Sequence, residues 1–134
     1  MAAVATLDLN SNKRVEFISI TGKVQGLVSG LGVREGVATV FAPHTTAGVT
    51  INENADPTVV RDIIAALEGL VPENGDYLHS EGNSDAHIKA SLTGSSATVF
   101  ISGGKLLLGA WQGIFFCEFD GPRKRKVWVR IVED

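Results

Sequence analysis

Residues 43–57 read Pro43-His44-Thr45-Thr46-Ala47-Gly48-Val49-Thr50-Ile51-Asn52-Glu53-Asn54-Ala55-Asp56-Pro57, and the chain on either side decides how they are displayed. Upstream, Gly36 to Phe41 is an apolar, β-branched run that reads as a strand ended by Ala42-Pro43. Thr45 to Ile51 reads as a second strand, which puts His44 at a strand junction. Downstream, Asp56 is a good N-cap and Pro57 suits the first helical position. Val59, Val60, Ile63, Ile64 and Leu67 then recur on one face, so the spacing predicts a helix over 57–70. A polar segment held between rigid elements is where a scaffold displays its chemistry.

Outward from there the pattern continues. Residues 3–9 and 14–20 read as strands joined by the polar turn Asn10-Ser11-Asn12. With Thr21 as cap, Val24, Leu27, Val28 and Leu31 predict a short amphipathic helix over 22–31, and Gly32 suits the position just past its end. Residues 71–83 are a loop rich in Pro, Asn, Gly and acidic residues. Asp85 to Leu92 reads as a short helix capped by Ser84 or Asp85 and closed by Gly94. Residues 97–102 form a buried-type strand, Gly103-Gly104 a tight turn, and 105–108 the return. Residues 112–119 and 126–132 read as a long hairpin across Asp120-Gly121-Pro122. The expected fold is a compact α+β domain spanning 1–134, with a largely antiparallel or mixed sheet and two main helices.

Composition narrows the function. The chain has 134 residues, 44% hydrophobic and 20% charged, which is enough for one hydrophobic core and gives no basis for disorder. A net charge of −3 speaks against a protein that coats nucleic acid. No stretch approaches the roughly 20 apolar residues that span a bilayer. The single cysteine, Cys117, cannot form an internal disulfide, and the first residues lack the basic start and apolar run of a signal peptide. A cytoplasmic protein is the expectation.

All three histidines fall in two polar segments: His44 in the first, His79 and His87 in and after the second. Imidazole is a common ligand of zinc sites with an open position, which use three protein ligands. The spacing matches no short metal motif, so the residues alone leave satisfied loop histidines and a ligand set both open. Glu53, as a carboxylate near such a cluster, is a candidate general base, and Asn52 a polar neighbour. Trp111, flanked by glycines at 109 and 113, could stack on a flat ring with Gln112 hydrogen-bonding its edge. The run Arg123-Lys124-Arg125-Lys126 reads either as solvated surface or as a phosphate contact, for which Arg123 offers a bidentate fork. Cys117, inside an apolar run, reads as a buried small hydrophobe.

Taken together, His44-Thr-Thr-Ala, Asn52-Glu-Asn-Ala-Asp-Pro57, His87-Ile-Lys-Ala-Ser-Leu92, Trp111-Gln-Gly113 and Asp120-Gly-Pro-Arg123 resemble the YjbQ-like family over about residues 3–132. That family is often labelled secondary thiamine-phosphate synthase. The resemblance implies a compact α+β domain, a homotrimer with a polar pocket near subunit boundaries, and a divalent metal, zinc or magnesium, at His44, His79 and His87. It implies joining a hydroxymethylpyrimidine diphosphate to a thiazole phosphate with release of pyrophosphate. His44, His87 and Glu53 would then be catalytic. Asn52, Lys89, Ser91, Trp111, Gln112 and Arg123 would bind the small phosphorylated substrate, with Lys89 and Arg123 on phosphate. The alternatives are a metal-assisted phosphoester hydrolase and a non-catalytic trimeric protein that binds a metal or metabolite.

Overall fold

The computed structural model describes residues 3–134; Met1 and Ala2 of the expected domain lie outside the described residues. The elements run β1 (Val4–Asn10), β2 (Glu16–Ser19), α1 (Thr21–Leu31), β3 (Gly36–Phe41), β4 (Ala47–Glu53), α2 (Pro57–Leu70), α3 (Ser84–Thr93), β5 (Ser96–Ser102), β6 (Lys105–Leu106), β7 (Gln112–Glu118) and β8 (Lys124–Glu133). The α+β class holds, with three helices instead of two main ones. Every strand pairing is antiparallel. No described helix is long and apolar enough to cross a membrane.

The strands form a five-stranded sheet, ordered β1-β8-β3-β5-β6, and a three-stranded sheet, ordered β2-β7-β4. One expectation fails on this division. β1 pairs with β8, whereas β2 pairs with β7, so the first two strands are chain neighbours in different sheets. The expected hairpin of β7 with β8 is absent for the same reason: the 119–123 connection carries the chain from one sheet to the other. Antiparallel alternation says which face of a strand is buried but not which strand lies beside it.

Alternation places the core. Along β8, Arg125, Val127, Val129 and Ile131 are buried while their neighbours are exposed. Val127, Val129 and Ile131 meet Ala38 and Val40 of β3 and Val99 and Ile101 of β5, and pack against Val49, Ile114 and Phe116 of the smaller sheet. Val24 and Val28 of α1 close the same cluster. Each such side chain contributes about 1.5–3 kcal/mol by leaving water. On its other face the three-stranded sheet presents Phe17, Phe115 and Cys117 to Ala86 and Ala90 of α3 and to Val60 and Leu67 of α2. The layers are therefore large sheet, small sheet and the helices α2 and α3, with α1 closing the core between the sheets. The outer face of the large sheet carries Val4, Phe41, Phe100, Trp128 and Val132 exposed.

The helix ends follow local chemistry. Asp56 caps α2 by accepting from the Thr58 N–H at 2.9 Å, with Pro57 at the first position. Gly32 ends α1 in the left-handed region at φ 68°. Thr21 does not cap α1; it is the first helical residue, and its hydroxyl accepts from the Ile114 N–H. Nor do Ser84 and Asp85 cap α3, whose N-cap is Asn83; Asp85 turns inward to an ion pair.

Candidate functional site

His44 lies in the loop between β3 and β4, in a segment anchored on both sides. Its Nε2 accepts from the Lys126 N–H at 2.9 Å, and the Thr46 carbonyl accepts from the Phe119 N–H at 3.2 Å. The same Nε2 lies 3.1 Å from the Lys126 carbonyl oxygen. A backbone amide always carries its proton, so the amide decides the tautomer: the lone pair sits on Nε2 and the ring proton on Nδ1. Burial and the Arg125 guanidinium hold this imidazole below the usual histidine range, partly offset by the Lys126 backbone and Glu118. His44 is thus a neutral N–H donor through Nδ1.

α3 brings the second histidine. Gly48 on β4 leaves no room for a side chain, because a Cβ there would stand 2.5 Å from the Gly94 carbonyl. The Val49 N–H donates to that carbonyl at 3.0 Å. Gly94, at φ 95°, ends α3 against β4, and the chain then enters β5. This close approach sets His87, Ala90 and Ser91 of α3 across from His44, Thr45 and Ala47, and with Gly94 and Ser95 they line one open pocket of about 520 Å³. Its polar groups are two imidazoles and the hydroxyls of Thr45, Ser91 and Ser95, with no carboxylate in the lining. The Ser91 hydroxyl donates to the His87 carbonyl at 2.9 Å and keeps its lone pairs free.

His79 is beside His87 but outside that pocket. Their rings stand edge to face at 5.5 Å, and both line a second hollow with Tyr77, Leu78 and Ile88. His79 Nε2 is 3.6 Å from Glu81. Among the described residues, no group of three or more His, Cys, Asp or Glu side chains is gathered to hold a metal ion. The Nε2 of His44 is taken by a backbone amide. Within one chain, therefore, the donor set does not fit a three-histidine metal site, and no step through a metal follows from this geometry.

Several expected site residues stand elsewhere. Glu53 ends β4 opposite Gln112, and Asn52 sits opposite Gly113. From Ala47, at the pocket, to Glu53 is six residues of strand, roughly 20 Å. Glu53 is therefore no base for His44 or His87 in the same chain; its carboxylate accepts from the Ala55 N–H at 2.9 Å, and the Asn52 side chain accepts from the Glu53 N–H. Trp111 is exposed beside Gln112, which accepts from the Gly109 N–H and so shapes the turn. Arg123 binds its own neighbourhood, donating to the Asp120 carbonyl and carboxylate.

Lys89 requires correction. It is fully buried, and its Nζ donates to Asp85 at 3.0 Å and Glu68 at 2.8 Å, so it cannot reach a phosphate. Arg14 completes the cluster with two 3.0 Å bonds to Asp85. Burial alone would raise the Asp85 carboxyl, but the bonds from Arg14 and Lys89 outweigh it and bring it down to about 2.

Arg125, read within its basic run as solvated surface or a phosphate contact, is instead buried and ion-paired to Glu118, which the sequence reading did not single out. The signal was present: Arg125 shares the inward period of Val127, Val129 and Ile131, and Glu118 closes the buried run from Ile114. Thr45 and Ser95 were also not singled out; each stands exposed at an element end.

Comparison with known proteins agrees with this architecture. The family model described as UPF0047 protein YjbQ-like matches residues 5–134. A UPF0047 protein of Methanocaldococcus jannaschii is 55% identical, covering 94% of this chain and 91% of its own length. The UPF0047 protein YugU of Bacillus subtilis is 45% identical, covering 95% and 97%. The crystal structure of an uncharacterized conserved protein of the yjbq/upf0047 family from Clostridium acetobutylicum superposes with TM-score 0.94 at 57% identity, covering 96% of this chain and 99% of that one. A YbjQ-like protein of unknown function from Sulfolobus solfataricus gives TM-score 0.95 at 27% identity, covering 100% and 99%.

Proposed function

The chain belongs to the YjbQ-like UPF0047 family, and on that premise we propose that the His44–His87 pocket is its functional centre and takes the phosphate of a small phosphorylated metabolite. The observation that carries this reading is the convergence of two imidazoles and the hydroxyls of Thr45 and Ser95, with no carboxylate among the described lining residues, on one open pocket. Such a set of donors complements an anion.

The finer reading is transfer of the thiamine-phosphate synthase kind, in which a hydroxymethylpyrimidine diphosphate is joined to a thiazole phosphate. The bond to the pyrophosphate oxygen breaks as the new bond to the thiazole nitrogen forms, so negative charge accumulates on the departing pyrophosphate. Donors placed where that charge develops accelerate the step. His44 Nδ1–H, His87 and the Thr45 hydroxyl would serve there. The assay incubates purified protein with both substrates and identifies the product. Thiamine phosphate, lost in His44→Ala and His87→Ala, is expected; unchanged turnover in both variants would sink the reading. Free phosphate instead would identify a phosphoester hydrolase. Metal analysis of the same samples decides whether a divalent ion, held between chains, takes part.

A non-catalytic metabolite-binding protein is the second reading. It is favoured by the roughly 20 Å that separates Glu53 from the pocket, which leaves no carboxylate base there. Tight binding of a phosphorylated metabolite without conversion is its signature. We assign a homotrimer to either reading, supported by the uncovered apolar face of Val4, Phe41, Phe100, Trp128 and Val132 and checked by light scattering. The setting we assign is cytoplasmic, supported by the lone cysteine.

A further inference from the structure

The His44–Thr46 segment is held from beneath by a buried ion pair that joins the two sheets. Glu118, at the end of β7, is fully buried. Its Oε1 accepts from the Ser11 hydroxyl at 2.6 Å and from Arg125 Nε at 2.8 Å, and its Oε2 accepts from the Asp120 N–H and from Arg125 Nη2. Four donors saturate the carboxylate. Arg125, on β8, is almost fully buried, and the same Nη2 donates to the Thr46 hydroxyl at 2.8 Å and approaches its carbonyl at 3.4 Å. The next residue, Lys126, supplies the N–H that His44 accepts. One guanidinium therefore fixes Thr46, and its neighbour in β8 fixes His44.

We infer that Arg125, oriented by Glu118, is a positioning residue that locks the His44–Thr46 segment and so keeps His44 Nδ1–H available as the donor to a bound anion. This rests on the reading of the His44–His87 pocket as the ligand site. Arg125 does not itself line the pocket. The geometry demands arginine: only a planar fork can be bidentate to Glu118 while still reaching Thr46, and a lysine ammonium carries the charge without the span. A pair kept only for stability would have no need to reach Thr46, and buried pairs are often replaceable by apolar residues at no cost.

The test uses two variants, with inorganic phosphate as the probe. Arg125→Lys keeps the charge and loses the fork. Thr46→Val keeps the ion pair and removes the hydroxyl that the fork reaches. The tautomer of His44 is read from its imidazole ¹⁵N shifts without ligand, and phosphate affinity from a titration. The wild type is expected to show a single Nδ1–H tautomer; both variants are expected to show mixed tautomers and about tenfold weaker phosphate binding, the scale of one lost charge-assisted hydrogen bond. Wild-type tautomer and affinity in both variants overturns the inference. If Arg125→Lys does not fold, Thr46→Val decides alone, and a mixed tautomer with unchanged affinity in it overturns the link to binding. Failure of the wild type to bind phosphate overturns the pocket reading, while the tautomer of the variants still decides whether Arg125 positions His44.

Discussion

Replacing Lys89 with methionine separates a structural from a ligand-binding role for that residue. Methionine keeps most of the buried stem, so the packing term is small. What disappears is the ammonium between Asp85 and Glu68. Asp85 is fully buried and retains the two bonds from Arg14, so it is left under-compensated but not orphaned. Removing one partner of a buried pair costs about 3–5 kcal/mol, and the surviving Arg14 fork places this case at the lower end, near 3 kcal/mol. Unfolding entropy of about 2.1 cal/mol/K per residue over 134 residues is about 0.28 kcal/mol/K, so the expected fall in Tm is about 10 °C. Urea denaturation gives the free energy directly. Phosphate affinity at 25 °C, where the variant remains folded, should not change. A loss below about 1 kcal/mol, or a phosphate affinity that collapses in a folded Lys89→Met, would refute the argument and return Lys89 to the ligand site.

Other outcomes follow from the same structure. Asp85 is depressed from 3.8 to about 2, so its contribution is complete above pH 3.8 and is lost as the pH falls towards 2. At 1.36 kcal/mol per pKa unit the loss is about 2.5 kcal/mol, and acid titration of stability should flatten over that window in Asp85→Asn, which will itself be less stable at pH 7. Gly48→Ala drives a methyl into the Gly94 carbonyl and should cost about 1–3 kcal/mol while weakening anion binding, because it pushes α3 away from His44; a neutral effect on both would disprove the close packing. Burial pushes the Cys117 thiol far up, so a thiol reagent should label the native protein only at the rate of unfolding. Prompt labelling would contradict the burial.

What the sequence disclosed was what neighbouring residues decide among themselves. Asp56-Pro57 and the apolar face that follows mark α2 because capping and the 3.6 period act within a few residues. Gly32 and Gly94 were legible as helix ends for the same reason. Strand partners were not. β7 and β8 are adjacent in the chain, and a turn sequence between them made a hairpin the economical reading. The buried charges Glu118 and Arg125 instead bind the two strands across the sheets. Of the site, His44, His87 and Ser91 were legible as chemistry-bearing side chains and do share a pocket. Lys89 was misread because a lysine beside a histidine looks available until its i,i+4 partner Asp85 is seen to be buried with it. Glu53 and His44 flank a single strand, and a strand keeps its two ends apart.

The bare outer face of the large sheet has a spectroscopic consequence. The chain's two tryptophans are Trp111, 67% exposed, and Trp128, 43% exposed and stacked on Phe41 with ring centroids 5.9 Å apart. Neither indole lies in the interior of the single chain, so unfolding of an isolated chain should move the emission maximum little, and fluorescence is a poor reporter of the core. The same placement makes Trp128 a sensitive gauge of whatever covers that sheet: dilution of an assembled form should redden its emission while circular dichroism stays unchanged.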